Sequence, residues 1–169
     1  VPAEVAIGLG GNVGAPQLAF RAARAGLSAR LQRLVLSPLY RTAPVGGPPQ
    51  PDFLNAVVTG TTLLPPLALM SLLRRLEAEA GRRPGERNGP RPLDRDLLLY
   101  ADLTLDLPEL VLPHPRMLER RFVLAPLADL RPDLVVPGTG RTVANLLAAA
   151  PAARVERLPT STNRLLAGR

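Results

Sequence analysis

Residues 53–80 read FLNAVVTGTTLLPPLALMSLLRRLEAEA, and the fold turns on how they are parsed. Phe53 to Leu73 carries no charged side chain, which on length alone suggests a membrane span. Asn55, Gly60, three threonines and the Pro65-Pro66 pair argue against that reading, because unsatisfied backbone is costly in lipid. Phe53–Leu63, rich in Val and Thr, instead reads as a strand. Pro65 and Pro66 suit a helix start, and Leu69, Leu72, Leu73 and Leu76 keep helical spacing across Leu67–Ala80 until Gly81 stops them.

The same pattern appears on both sides of this stretch. Upstream, Val5–Leu9 is a short apolar run closed by Gly8, Gly10 and Gly11, a buried strand entering a turn. Gln17–Leu34 has a helical stripe of Leu18, Ala22, Ala25 and Ala29. Leu34–Tyr40 is a second strand, and the Pro- and Gly-rich Thr42–Asp52 is a loop. Downstream, the Arg82–Pro92 loop leads into a fourth strand, Leu93–Tyr100. The order β-α-β-β-α-β predicts an α+β, ferredoxin-like antiparallel sheet with helices packed on one face. A C-terminal extension follows: a loop and short helix at Pro113–Arg121, then helices at Phe122–Leu130 and Thr142–Ala150. Residues 1–158 form a single domain in this reading, and residues 159–169 have little to bury and form a flexible tail.

Composition excludes several chemistries. Cys is absent and His occurs once, which removes thiolate and multi-His metal sites. All 21 basic residues are Arg, so a P-loop lysine and a Schiff-base lysine are both excluded. Aromatics are 3% of the chain, too few for a base-stacking platform. The net charge of +7 reflects compositional bias or an anionic ligand, and only the position of the charges decides between these. The opening Val1-Pro2-Ala3-Glu4 does not resemble a targeting peptide.

Asp94-Arg95-Asp96 opens the fourth strand. Residues two apart on a strand share a face, so the carboxylates converge. Such a pair is either solvated or ion-paired, or it holds a cation between its members. All-oxygen ligation with few carboxylates suits Mg²⁺ bound together with substrate phosphates. Arg82, Arg83, Arg87 and Arg91 lie in the preceding loop, and arginine forks match phosphate oxygens. Together, acids and arginines favour a metal–polyphosphate site. Pro113-His114-Pro115-Arg116 holds the only His in a rigid turn, with Arg120, Arg121 and Phe122 behind it. Asn55 beside Phe53 suits reading the edge of a flat heterocycle while a ring stacks on it; it equally suits a strand-end cap. Gly8-Leu9-Gly10-Gly11-Asn12-Val13 fails the dinucleotide pattern at Val13, leaving a tight turn with Asn12 fixing a neighbouring loop.

Several motifs, in order, resemble one enzyme family. They are Ala6-Ile7-Gly8-Leu9-Gly10-Gly11-Asn12, Tyr40-Arg41-Thr42 with Pro44 and Gly46, Phe53-Leu54-Asn55, and Glu77 with Gly81-Arg82. Gly89-Pro90-Arg91-Pro92-Leu93-Asp94-Arg95-Asp96 and Pro113-His114-Pro115-Arg116 with Arg120 and Phe122 complete the set. The family is 6-hydroxymethyl-7,8-dihydropterin pyrophosphokinase (HPPK), a kinase-type transferase of folate biosynthesis. The resemblance implies transfer of a diphosphate from ATP to the pterin's hydroxymethyl group, with AMP released. It implies two Mg²⁺ ions on Asp94 and Asp96, and Arg82 and Arg91 as the catalytic arginines. It places Glu77, Arg83, His114, Arg116 and Arg120 in the ATP site. Thr42, Pro44, Val45, Phe53, Asn55 and Phe122 match the pterin pocket, with the two Phe rings sandwiching the heterocycle. It further implies a cytoplasmic monomer whose partners are the two small molecules, with no nucleic acid and no membrane.

The chain departs from the family at Asn88 and Pro115, where aromatics are common, and in a loop shortened by one residue. Arg95 stands where an apolar residue is usual, and it is expected to face away from the metals. The alternatives are a catalytically weak pterin- or ATP-binding relative and a basic nucleic-acid-binding module.

Overall fold

The computed structural model describes residues 1–12, 16–44, 46–79 and 93–159. Its centre is a long strand pair. β1 (Ala3–Gly11) lies antiparallel to β4 (Phe53–Thr62), with Ala3 opposite Thr62 and Gly11 opposite Leu54. The other side of β1 pairs with β5 (Asp94–Tyr100), with a register shift between Ala6 and Ile7. β2 (Gln32–Leu36) and β3 (Tyr40–Thr42) both pair with the free side of β4, one after the other. α1 (Pro16–Ser28) joins β1 to β2, and α2 (Pro66–Glu79) joins β4 to β5. Every pairing is antiparallel, which is the ferredoxin-like arrangement expected from the order of elements.

Alternation along the strands sends side chains to two cores. Val5, Ile7 and Leu9 of β1 join Phe20 and Leu27 of α1 and Leu69, Leu73 and Leu76 of α2. Ala6, Val57 and Leu98 face the opposite side. There the extension covers them with α3 (Arg121–Leu130) and α4 (Val143–Ala149). Helices α1 and α2 thus occupy one face, and the extension supplies a second layer.

Three local features differ from the sequence reading. The first helix ends at Ser28 rather than Leu34; the Leu31 amide donates to the Leu27 carbonyl at 2.7 Å, and Leu34 goes to the sheet. The second strand is interrupted at Ser37-Pro38-Leu39, because Pro38 has no N–H for a ladder. Ser37 bridges the gap: its N–H donates to the Val57 carbonyl and its Oγ accepts from the Val57 N–H, both at 2.9 Å. A further strand, β10 (Val155–Arg157), adds to the sheet edge beside β3. Between β5 and β10, two-residue strands form two small hairpins, β6 (Leu105–Asp106) with β7 (Val111–Leu112) and β8 (Val135–Val136) with β9 (Arg141–Thr142). The tail expected over 159–169 lies outside the described residues from Thr160 onward.

Candidate active site

The extension leaves one end of its sheet face open. There, Gly8 and Gly10 of β1 stand opposite Asp96 and Asp94 of β5 in the ladder. Two glycines remove side chains from this part of the face, and a cleft of about 570 Å³ lies over it. Thr42, Phe53 and Asn55 line it from β3 and β4; Arg116, Glu119, Arg120 and Phe122 line it from the 3₁₀ turn Met117–Glu119 and the start of α3. Volume and lining suit a small ligand with both apolar and polar edges.

One end of the cleft is preorganised. The Asn55 side-chain amide donates to Thr42 Oγ1 at 2.7 Å, and both residues are buried. A Cβ at Gly10 would come within 2.8 Å of Asn55 Oδ1, so glycine is what lets that amide lie against β1. Next to the cleft, Asn12 donates to Gln50 Oε1 at 2.8 Å and to the Pro51 carbonyl at 2.9 Å, tying the end of β1 to the Pro-rich loop. This is the loop-fixing role expected of Asn12.

The other end is charged. Asp94 and Asp96 both border the cleft. Arg120 sits 5.4 Å from the Phe122 ring centroid, a cation–π distance. Burial and the neighbouring Arg116 hold Arg120 below the ordinary arginine value, while Asp96 opposes them. Burial likewise pushes His114 below 6.5; Asp96 opposes it, and Arg120 and Arg116 reinforce it. The imidazole is therefore neutral at pH 7. Its Nδ1 accepts the Arg116 N–H at 3.2 Å, which puts the ring proton on Nε2. His114 is thus a neutral donor, suited to an anionic oxygen.

Of the residues singled out in the sequence, the cleft brings together Thr42, Phe53, Asn55, Asp94, Asp96, Arg116, Arg120 and Phe122. His114 and Pro44 are not among its lining. Glu77 is also outside; its carboxylate accepts the backbone N–H of Arg95 at 2.7 Å. Val45, Arg82, Arg83 and Arg91 lie outside the described residues, as does Asn88. Arg95 points to the α1/α2 side, away from the two aspartates as expected, and is 4% exposed. Sequence reasoning missed the wall formed by Arg121, Pro151 and Ala153. Arg121 Nη2 donates to the Ala150 carbonyl at 2.9 Å and holds that segment against α3. Its position beside Arg120 was the only signal in the sequence.

Among the described residues no three His, Cys, Asp or Glu side chains group to hold a metal. Two carboxylates alone fit Mg²⁺, which usually takes one or two from protein and the rest from phosphates and water. No helix among the described residues is long and apolar enough to cross a membrane.

A ferredoxin-like sheet with paired acids, arginines and a polar slot in one cleft defines a protein built to handle a phosphorylated ligand beside a flat ring. Comparison with known sequences makes this specific. The model of the 7,8-dihydro-6-hydroxymethylpterin-pyrophosphokinase (HPPK) family matches residues 6–132, and the chain belongs to that family. It is 46% identical over 158 residues to a 2-amino-4-hydroxy-6-hydroxymethyldihydropteridine pyrophosphokinase of Pseudomonas aeruginosa, covering 92% of this chain and 97% of the relative. A protein of the same name from Synechocystis is 41% identical over 143 residues, covering 83% and 73%. In fold, the chain resembles the crystal structure of Plasmodium falciparum HPPK-DHPS A437G with SDX-DHP, at a TM-score of 0.71 and 15% identity. That match covers 88% of this chain and 45% of the solved one, so this chain spans less than half of that protein.

Proposed function

We propose that this chain transfers the terminal diphosphate of ATP to the hydroxymethyl group of 6-hydroxymethyl-7,8-dihydropterin, releasing AMP for folate biosynthesis. One observation carries this reading: a single cleft joins the Asn55–Thr42 slot, flanked by Phe53 and Phe122, to the Asp94/Asp96 pair. The pterin oxygen forms a bond to the β-phosphorus as the bond from that phosphorus to the α,β-bridging oxygen breaks. The hydroxyl proton leaves, and AMP carries away the bridging oxygen.

In this reading Phe53 and Phe122 stack on the pterin and Asn55 hydrogen-bonds its edge, with Pro44 and Val45 completing the pocket. Two Mg²⁺ ions on Asp94 and Asp96, when bound, neutralise phosphate oxygens. His114, Arg116 and Arg120 bind ATP, His114 donating through Nε2, with Glu77 and Arg83 nearby. Arg82 and Arg91 stabilise the transferring group. The closeness of Arg120 to Phe122 supports a role for that cation beside the pterin as well as ATP. The protein acts as a cytoplasmic monomer. The family match does not favour the weak-binder or the nucleic-acid alternative.

The test is AMP release from ATP and Mg²⁺, with and without the pterin. Pterin-dependent AMP that disappears with EDTA is expected; ADP, or no turnover by folded protein, overturns the reading. Asp94→Asn and Asp96→Asn are each expected to lower turnover by about a hundredfold or more, with melting temperature preserved.

A further inference from the structure

Arg95 lies between the two aspartates but on the other side of the sheet, opposite Leu9 in the ladder. A guanidinium buried this deeply is costly unless it is compensated. Two carboxylates, Glu77 and Glu79 of α2, supply the negative charge around it. Its Nε and Nη1 have no hydrogen-bond partner among the described residues, so that compensation is largely coulombic. Glu77 also takes the Arg95 backbone N–H, at 2.7 Å.

That second contact is unusual for its place in the sheet. Among the described residues β5 is an edge strand, paired only with β1, and edge amides ordinarily face water. Here one carboxylate holds the edge peptide, and the buried guanidinium of the same residue lies close by. The held peptide joins Asp94 to Asp96. Neither Glu77 nor Arg95 lines the cleft.

We propose that Glu77 and Arg95 are a positioning pair, gripping the peptide between Asp94 and Asp96 from behind the sheet so that the carboxylates keep the separation a divalent cation requires. This rests on the reading that Asp94 and Asp96 hold the metal. Groups behind a ligand typically alter metal affinity about 10- to 100-fold when removed.

The experiment measures Mn²⁺ binding by electron paramagnetic resonance, with α,β-methylene-ATP present, alongside melting temperature. It compares the full chain with Glu77→Ala, Glu77→Gln and Arg95→Leu. Glu77→Ala is expected to weaken Mn²⁺ binding about tenfold or more. Glu77→Gln, which keeps an acceptor for the amide, recovers part of the loss, and Arg95→Leu loses less than Glu77→Ala. Lowered melting temperatures with unchanged Mn²⁺ affinity would make the pair merely structural and overturn the proposal. If Glu77→Ala does not fold, Arg95→Leu decides: wild-type affinity sinks the proposal. Wild-type protein that binds no Mn²⁺ with the analogue sinks the functional reading itself, whereas binding indifferent to all three substitutions sinks only the pair.

Discussion

At the scale of single residues, Gly10 shows how narrowly the pocket is set. A methyl group there meets the Asn55 amide oxygen and displaces the side chain proposed to read the pterin edge. Gly10→Ala is expected to raise the KM for pterin by about tenfold or more, since a misplaced buried hydrogen bond costs roughly 1–3 kcal/mol. The KM for ATP should move much less, and steady-state kinetics with each substrate varied separates the two. Equal rises in both would mean that Gly10 supports the whole cleft. Part of the cleft's lining was legible in the sequence, because Asp-x-Asp on a strand and an Asn beside a Phe each carry chemistry in their residue type; the lone His, equally conspicuous, does not line it. Glu77 was not legible in the same way. Resemblance assigns it to the ATP site, and its bond to the Arg95 N–H is a further contact that only the packing of α2 on β5 creates. Arg121 was missed for a similar reason, since its partners are carbonyls about 30 residues downstream.

Among the elements, the sheet edge at β3 and β10 is held by three side chains. The Tyr40 hydroxyl donates to Asp129 of α3, Arg157 of β10 pairs with the same carboxylate, and Arg157 Nε donates to the Tyr40 oxygen at 3.1 Å. Burial, then the bond to Asp129, raises the Tyr40 phenol above its ordinary 10.0. A group whose pKa rises on folding contributes stability that is full below its unfolded value and lost as pH rises through its folded one. The melting temperature should therefore fall as pH rises above about 10, and Tyr40→Phe should flatten that fall. Thermal scans from pH 8.5 upward test this, and an unchanged alkaline slope in Tyr40→Phe would remove Tyr40 as its source. This edge was also the least legible part of the fold. Val155–Arg157 is too short and too exposed to show periodicity, and the break at Pro38 depends on Ser37 bonding across to Val57. The long elements, β1, β4, α2 and β5, were legible because their apolar spacing is set by burial on at least one face.

For the molecule as a whole, two cores on opposite faces of one sheet stabilise the site together. Leu124 of α3 is fully buried in the outer core, on the helix whose first turn carries Phe122. Leu124→Ala is expected to cost about 2–5 kcal/mol and to lower the melting temperature by roughly 5–15 °C. Calorimetry measures it, and a drop of only a degree or two would mean that the outer layer adds little. The charge balance acts at this scale too. With a net +7 and arginines at the cleft, ATP binding should weaken with salt, its KM rising roughly threefold or more between 0.05 and 0.5 M NaCl. A flat salt response would confine the electrostatics to direct contacts.

The cleft is bounded by Gly8 near the start of the chain and Ala153 near its end. On a ribosome, the glycine floor emerges first and waits while some 145 further residues are added, a time of roughly 10–30 s at ordinary elongation rates. The aspartates appear a little over half way through this stretch, on a sheet whose second face still lacks α3 and α4. A chain stalled or cut before residue 150 therefore displays its acids and the turn that carries Arg116 without the wall that Arg121 holds in place. The cleft is therefore closed only once its last wall, about 145 residues after its glycine floor, has been made.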